Sequence, residues 1–248
     1  MGWRIKPIKI GEIYGDYSFN VSGMHMGKTG WVPSFAWYIT DGQKHILVDT
    51  GFGDPEFVAK HQRLFKVRVK KSVEELFAEL DINPDSINTV IFTHLHWDHC
   101  GTAKIFKNAE FYIQRDEMCF ALAPPDFTAV AFHSPSIGIE PEWLRVQFQL
   151  LDGDIEIEKG ISLIKTPGHT PGHQSVIVDM GRIKYGIAGD LFPLYANLKG
   201  LHGIKFLPPY CMNYIEWYHS ARKFNSMCDE ILPSHDTSID ESWIVDTE

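Results

Sequence analysis

Residues 89–101 read TVIFTHLHWDHCG and contain an HxHxDH pattern formed by His94, His96, Asp98 and His99. The apolar start of this stretch predicts a buried strand over residues 88–93, so His94 lies where the strand ends. His94 and His96 are two residues apart, and in an extended segment they point to the same side. The other two residues follow as the chain bends. Because imidazole and carboxylate groups suit zinc, iron, manganese and cobalt, the stretch predicts a metal site.

Three later segments repeat this arrangement. In each, a short apolar run predicts a strand, and a turn with Gly or Pro then presents one His or Asp. The runs 161–166, 183–188 and 230–232 precede, in that order, His169, Asp190 and His235. Residues at the carboxyl ends of several strands can share one site at the edge of a sheet. The seven candidates exceed the four ligands of one zinc ion and predict two divalent ions, with a carboxylate such as Asp190 as a bridge and an open position for water or hydroxide.

The composition limits the class of protein. With 248 residues, 44% of them hydrophobic and 22% charged, the chain has an ordinary globular composition. Its formal net charge of -9 argues against binding to nucleic acid or to an anionic membrane. No apolar run is long enough for a signal peptide or a membrane-spanning helix, and the four cysteines form no CxxC pair. We therefore expect a soluble, cytoplasmic protein without membrane insertion.

Further strand-like runs surround these segments. They are rich in Val, Ile, Tyr and Phe and cover residues 35–40, 45–50, 111–114 and 174–180. The Asp41-Gly42 pair predicts a hairpin between the first two of these runs. A turn at residues 180–182 predicts a second hairpin, which joins the run 174–180 to the next strand.

Helical signals lie between the strand-like runs. Ser72 with Glu75 forms a capping box before a helix predicted at residues 73–80. Two more helices are predicted at residues 115–122 and 214–221. Strands mixed with helices along the chain, without a repeat or a linker, predict one α/β domain over residues 1–248.

Residues 124–142 differ from the rest of the chain. They contain four prolines and several aromatic residues, which predicts a long loop or insertion. Long loops on a compact domain often carry function. A functional element and a surface excursion both fit this composition.

The sequence resembles the metallo-β-lactamase superfamily and, within it, the N-acyl-homoserine lactonases and relatives such as pyridoxolactonase. The resemblance extends over residues 33–236 and is carried by ILVDTG at 46–51, THLHWDHCG at 93–101, YIQRDE at 112–117, TPGHTPGHQS at 166–175, AGD at 188–190 and SHD at 234–236. It implies an αβ/βα sandwich of two mixed sheets, with helices on the outer faces and a site at one edge.

The resemblance also assigns roles to individual residues. It implies two sets of metal ligands, with Asp190 as the bridge between them: His94, His96 and His169 for one ion, and Asp98, His99 and His235 for the other. Asp49 in ILVDTG looks like the family's carboxylate that orients ligand histidines, since a metal-bound imidazole commonly donates its second N–H to such a group. The alternative for Asp49 is a turn residue at a strand end. His173 is expected near the site without binding metal.

One position departs from the lactonase pattern. The N-acyl-homoserine lactonases place a tyrosine three residues after the bridging aspartate, where its hydroxyl can support the carbonyl or leaving oxygen. Here Pro193 stands at that position, and the next tyrosine is Tyr195. Either Tyr195 takes the catalytic role through a changed loop, or the substrate differs.

The resemblance implies a hydrolase that opens a lactone, by attack of a hydroxide that bridges two divalent ions. The ions are expected to be zinc, with iron, manganese or cobalt as alternatives. Asp98, a ligand close to the water, could carry the proton to the leaving oxygen. Such an enzyme is quorum-quenching and takes a small acyl compound as its partner, and we also expect a homodimer. Hydrolysis of another ester, a thioester or a cyclic amide, and metal binding without catalysis, are the alternatives.

Overall fold

Thirteen strands, five α-helices and seven short 3₁₀ helices form the regular structure of residues 2–245, the part of the chain that the computed structural model describes. The strands are β1 (Arg4–Asp16), β2 (Thr29–Thr40), β3 (His45–Val48), β4 (Lys66–Arg68), β5 (Thr89–Ile91), β6 (Glu110–Gln114), β7 (Phe148–Leu151), β8 (Ile155–Glu158), β9 (Ile161–Lys165), β10 (Gln174–Asp179), β11 (Lys184–Ile187), β12 (Glu230–Leu232) and β13 (Ile244–Val245). The helices are α1 (Pro55–His61), α2 (Val73–Glu79), α3 (Arg115–Leu122), α4 (Tyr195–Lys199) and α5 (Tyr214–Asn225). None of these helices of the described chain has the length and apolar character needed to cross a membrane. One domain over residues 1–248 stays a prediction, and residues 1 and 246–248 lie outside the described residues.

The strands form two mixed sheets. The first has eight strands in the order β13-β1-β2-β3-β5-β6-β7, with β4 also paired to β1. In this sheet β3, β5, β6 and β7 are parallel to one another, and the other pairs are antiparallel. The second sheet has five strands in the order β12-β11-β10-β9-β8, in which β11 and β12 are parallel and the other pairs antiparallel. The two predicted hairpins are confirmed as the pairs β2–β3 and β10–β11.

The main core lies between the two sheets. Side chains alternate along a strand, so residues two apart share a face. Ile46 and Val48 of β3 and Val176 and Val178 of β10 are fully buried in this layer. Removal of each such side chain from water contributes about 1.5–3 kcal/mol to stability.

The residues between them point outward and are covered by helices. Leu47 of β3 packs in a cluster with Phe77 of α2 on the outer face of the first sheet. Ile177 of β10 packs with Trp217 and Phe224 of α5 on the outer face of the second. Helices therefore cover both outer faces, and the predicted αβ/βα sandwich is confirmed.

Every predicted strand overlaps an observed one, and the predicted capping box is confirmed at the start of α2. The sequence pattern does not predict β1, a strand of 13 residues, because Pro7 and Gly11 interrupt its apolar run. The register of β1 against β2 shifts next to Gly11. A Cβ atom on Gly11 would lie 2.5 Å from Cζ of Phe52, so glycine lets this strand pass close to the residues that follow β3.

Residues 124–142 form the predicted long loop. Within the described chain, their regular structure consists of the 3₁₀ helices Ala129–Phe132 and Pro135–Ile137 and the first residue of a third, Glu142–Arg145. Phe132 and Ser134 are fully buried. The loop therefore packs into the body of the molecule.

Candidate metal centre

The seven predicted ligands come together at one end of the sandwich. The ligand atoms of His94, His96 and His169 lie within 4.8 Å of one another, and we call this group the first trio. The same limit of 4.8 Å holds for Asp98, His99 and His235, which we call the second trio. His94, His99 and Asp190 form a third group of this kind, which joins the two trios.

Each ligand lies beyond the carboxyl end of a strand. The parallel strands β3 and β5 end side by side, which brings Asp49 next to the HxHxDH loop. The parallel strands β11 and β12 also end side by side, so Asp190 and His235 are neighbours. His169 follows β9 in the same sheet. A backbone φ of 57° at Asp49 and of 55° at Gly189 turns the chain sharply at two of these strand ends.

The first trio is oriented by uncharged groups. Nδ1 of His169 donates to the carbonyl oxygen of Tyr210 at 2.8 Å. Nδ1 of His94 lies 3.0 Å from Oγ1 of Thr93. Nδ1 of His96 lies 3.0 Å from Nε2 of His169. The first two contacts occupy the Nδ1 atoms and leave Nε2 of both rings for the centre of the cluster.

The second trio is oriented by a carboxylate and a carbonyl. Nδ1 of His99 donates to Oδ2 of Asp49 at 2.8 Å. The same carboxylate accepts the backbone N–H of Thr93 at 2.7 Å and its hydroxyl at 2.8 Å. Nδ1 of His235 donates to the carbonyl oxygen of Pro33 at 2.8 Å. Asp49 is therefore in contact with a ligand histidine, as the family resemblance implies.

Asp190 lies between the two trios. Its Oδ1 is 3.4 Å from Nε2 of His99 and 3.2 Å from Nε2 of His235. Its Oδ2 is 3.4 Å from Nε2 of His169. The hydroxyl of Ser234 donates to Oδ1 at 2.6 Å and holds the carboxylate in this orientation. Asp190 thus has one oxygen toward each trio, which is the arrangement of a bridging ligand.

His173 lies behind the first trio. Its ring centroid is 5.3 Å from that of His94. Its Nδ1 lies 2.9 Å from Oγ1 of Thr166, and it belongs to none of the three ligand groups found among the described residues. This placement agrees with the expectation that His173 supports the site from outside.

The histidines of the two trios differ in their affinity for protons. Burial lowers the pKa of all three first-trio histidines, and holds those of His94 and His96 well below the usual value. Burial acts in the same direction on His99, but the surrounding carboxylates, Asp190 first, outweigh it and hold the pKa of His99 well above its usual value. Asp190 raises the pKa of His235 in the same way. Burial would raise the pKa of Asp190, but His99 and His235 reverse this effect and hold it well below its usual value.

The donor set fits divalent metal ions. Nε2 of His94, His96 and His99 is buried without a hydrogen-bond partner among the described residues. A buried polar atom without a partner costs free energy, and three such atoms here belong to one cluster that also contains two carboxylates. Imidazole nitrogens and carboxylate oxygens in this combination are typical of zinc sites.

A cavity of about 150 Å³ opens above the cluster. Its floor is formed by His96, Asp98, His169, Asp190 and His235, and its apolar wall includes Ile13, Val32, Phe65 and Trp97. Within the described chain, Tyr195 does not line this cavity. It begins α4, where its backbone N–H donates to Oδ2 of Asp236 at 2.8 Å. The tyrosines in the cavity wall are Tyr17 and Tyr210, and a catalytic role for Tyr195 stays a prediction.

Sequence reasoning assigns no role to Glu117, the last residue of the YIQRDE phrase. Its fully buried side chain accepts hydrogen bonds from the N–H of Leu95 at 3.0 Å, the hydroxyl of Thr170 at 2.6 Å and the N–H of Gly172 at 3.1 Å. Burial raises the pKa of Glu117 to about 7, against the effect of these bonds. The available signal was its place in a phrase that carries the family resemblance.

The loop of residues 124–142 also supports the site. The ring of Phe132 packs edge-on against His96, with the centroids 4.6 Å apart. The carbonyl oxygen of Ala131 accepts the N–H of Trp97 at 2.9 Å. These contacts favour the functional interpretation of the loop over a surface excursion.

Comparison with known proteins gives a family and its relatives. The family model described as metallo-beta-lactamase superfamily matches residues 29–227. The N-acyl homoserine lactonase AiiA of Bacillus thuringiensis subsp. kurstaki is 27% identical over 183 residues, which cover 69% of this chain and 68% of that protein. A probable metallo-hydrolase of Methanocaldococcus jannaschii is 34% identical over 132 residues, which cover 53% of this chain and 48% of that protein.

Solved structures share the fold. An N-acyl homoserine lactone hydrolase with the product N-hexanoyl-L-homoserine bound at its catalytic metal center superposes with a TM-score of 0.80 at 20% identity, over 98% of this chain and 100% of that one. A mutant of B. thuringiensis AiiA with N-decanoyl-L-homoserine bound at the active site superposes with a TM-score of 0.79 at 21% identity, again over 98% and 100%. Since the family match also spans most of the chain, including the HxHxDH loop, the protein belongs to the metallo-beta-lactamase superfamily.

Proposed function

We propose that this protein is a dinuclear metal-dependent hydrolase that opens the ring of a neutral lactone. The observation that carries the proposal is the placement of two ligand trios, with Asp190 between them, at the floor of an apolar cavity. The first trio would hold one ion and the second trio the other. Divalent ions, zinc in our proposal, would supply Lewis-acid polarisation of the acyl oxygen and increase the acidity of water.

The chain's own residues prepare this site in two ways. Thr93, Asp49, Tyr210 and Pro33 occupy the Nδ1 atoms of four ligand histidines, which fixes those rings before any ion binds: His94, His99, His169 and His235. The buried cluster also excludes bulk water from all sides except the cavity.

Asp98 is proposed as the proton carrier. It is the least buried of the seven ligands, with 16% of its side chain exposed, and it lines the cavity. Its Oδ2 lies 3.8 Å from Nε2 of His99 and 3.7 Å from Nε2 of His235. A carboxylate in this position can accept a proton on the cavity side and deliver it to the departing alkoxide oxygen.

The cavity wall favours an uncharged acyl compound. Apolar side chains dominate it, and the described residues that line it include Asp16, Asp98 and Asp190 but neither lysine nor arginine. Outside the metal ligands, the charged side chain among these lining residues is that of Asp16, so a carboxylate on the acyl part of a substrate would have no cationic side chain to pair with there, whereas an acyl chain carries no charge. The lactonase names of the relatives agree with this substrate class.

A pH-stat screen tests the proposal. Protein with two equivalents of zinc is offered neutral lactones, neutral thioesters and cyclic amides. A lactone that carries a carboxylate serves as the charged control and should be hydrolysed more slowly than the neutral lactones. We expect proton release with the neutral lactones, its loss after chelation and its return with added zinc. Turnover of another class with silence on every lactone would overturn the substrate assignment. Activity that survives complete metal removal would overturn the metal-dependent mechanism.

A further inference from the structure

Glu117 joins the two loops that supply the first trio. One carboxylate oxygen accepts the backbone N–H of Leu95 at 3.0 Å. The other accepts the hydroxyl of Thr170 at 2.6 Å and the backbone N–H of Gly172 at 3.1 Å. Leu95 stands between His94 and His96, and Thr170 directly follows a ligand as well. One side chain on α3 therefore anchors the backbone beside all three ligands of this trio.

The loop that contains Thr170 and Gly172 packs against α3 so closely that only glycine fits at position 172. A Cβ atom on Gly172 would lie 2.1 Å from the backbone nitrogen of Glu117. The loop can therefore rest directly on the start of α3 and reach the carboxylate with its own backbone. This packing brings together segments that are 55 residues apart in the chain.

The three bonds of Glu117 are made in a place that water does not reach, since the side chain has an exposure of 0%. Removal of the carboxylate would leave two backbone N–H groups and one hydroxyl buried without their acceptor. Each loop would then shift to find another partner, and the shift would move the imidazoles attached to it. Within the described chain, none of the three hydrogen bonds of Glu117 involves a residue of the second trio.

We propose that Glu117 is a positioning residue that sets the metal affinity of the first trio and leaves that of the second trio unchanged. The inference rests on the proposed two-ion site. It assigns Glu117 no contact with substrate. The carboxylate acts through the backbone of Leu95, Thr170 and Gly172, by holding His94 and His96 at the correct distance from His169.

Stepwise metal titration tests this inference. Apo-protein is titrated with Zn²⁺ in competition with a chromophoric chelator, and with Co²⁺ while the visible absorption of the bound ion is recorded. The variants are Glu117→Gln, which keeps the shape of the side chain, and Thr170→Val, which removes one of its three partners. His169→Ala and His235→Ala mark the first and the second trio, because each removes one ligand. Phe77→Leu, a substitution in the outer core against Phe106, controls for loss of stability without loss of the anchor.

We expect one of the two dissociation constants to rise about tenfold or more in Glu117→Gln, the range typical of residues that orient metal ligands. The Co²⁺ spectrum should lose the same component that His169→Ala loses and retain the one that His235→Ala loses. Thr170→Val should raise the same constant by a smaller factor, and Phe77→Leu should leave both constants unchanged.

Two results would overturn the inference: both constants in Glu117→Gln within about twofold of those of the unmodified protein, or an equal rise in both. Should Glu117→Gln fail to fold, Thr170→Val decides the question by the same criterion. An unmodified protein that binds fewer than two ions would instead contradict the proposed function, and this is measured before any variant is compared.

Discussion

The two trios of the candidate metal centre contain similar side chains in different electrostatic surroundings. In the first trio, Nδ1 of His94 contacts the hydroxyl of Thr93, and Nδ1 of His169 donates to the carbonyl oxygen of Tyr210. In the second trio, His99 meets the carboxylate of Asp49 and lies near two further carboxylates. Burial therefore dominates the first group and lowers the pKa of its histidines, whereas in the second group charge dominates and raises them.

In the two-ion site that we propose, this difference would give the two trios different ways to bind an ion. A metal competes with protons for its ligands, so neutral histidines are ready to bind but attract the ion only weakly before contact. In our proposal, geometry therefore supplies the affinity of the first trio, and Glu117 provides it by anchoring the two loops. The second trio combines histidines with Asp98 and the shared Asp190, so charge contributes more to its affinity.

Replacement of the shared carboxylate should have the largest effect. Asp190→Asn keeps the shape of the side chain but removes the charge that lies between the trios. We expect the hydrolytic rate to fall at least about a thousandfold, equivalent to about 4 kcal/mol of transition-state stabilisation. Initial rates at saturating zinc measure this. Asp152→Asn, which alters an aspartate with 67% of its side chain exposed, should retain the full rate. Similar rates for the two variants would contradict a role for Asp190 in the candidate metal centre.

Glu117 should contribute to the pH dependence of the free energy of unfolding. Burial raises the pKa of Glu117 from 4.5 to about 7, so the folded metal-free protein binds a proton here more tightly than the unfolded chain does. The resulting stability is fully present below pH 4.5 and is lost as the pH rises through about 7. The loss amounts to about 3 kcal/mol.

Urea unfolding in the presence of a chelator, at pH 5 and pH 8, measures this difference. In Glu117→Gln the free energy of unfolding should fall less between pH 5 and pH 8, because the amide does not titrate. Glu79→Gln, on the exposed side of α2, should retain it. An unchanged pH dependence in Glu117→Gln would contradict the raised pKa.

Replacement of Asp49 tests whether charge contributes to the metal affinity of the second trio. Asp49→Asn retains an acceptor for Nδ1 of His99 but removes the negative charge beside it. We expect the affinity of the second trio for zinc to fall about 10–100-fold. The affinity of the first trio, measured in the same stepwise titration, should fall less than that of the second, because Asp49 reaches His94 only through Thr93. A loss of zinc affinity confined to the first trio would contradict our assignment of the charge-based affinity to the second trio.

Replacement of Thr93 should have the smallest effect, because its hydroxyl makes one contact toward each trio. Its hydroxyl donates to Asp49 at 2.8 Å and lies 3.0 Å from Nδ1 of His94. Thr93→Val removes both contacts without a change of shape, at a cost of about 1 kcal/mol for each trio, or about fivefold in each dissociation constant. Thr128→Val, a buried threonine of the 124–142 loop, is the matched control and should leave both constants unchanged. An effect confined to one trio would show that Thr93 does not link them.

Local patterns were sufficient for the strands, the hairpins and the candidate ligand set, and the family resemblance implied the two-sheet sandwich. The alternation of Ile46, Leu47 and Val48 predicts a strand whichever sheet it joins, because the period of two is a property of the backbone. The HxHxDH spacing brings four candidate ligands together within six residues, so no distant contact is needed to recognise them. The missed strand β1 shows the limit of such patterns. Pro7 and Gly11 weaken its local signal, and its pairing with β2 compensates for them.

By itself the sequence indicated an α/β domain and the seven residues of the candidate centre, since apolar periodicity and short-range spacing encode both, and its resemblance to a known family implied the two-sheet sandwich. Residue patterns alone left the grouping of these ligands open, and the tertiary structure gives the distances between them, because the separation of the loops after β5, β9, β11 and β12 depends on sheet order. The structure also placed Glu117 beneath the first trio and Tyr195 outside the cavity. Contacts of this kind join segments tens of residues apart, and their energies come from burial, which a single stretch of sequence does not reveal.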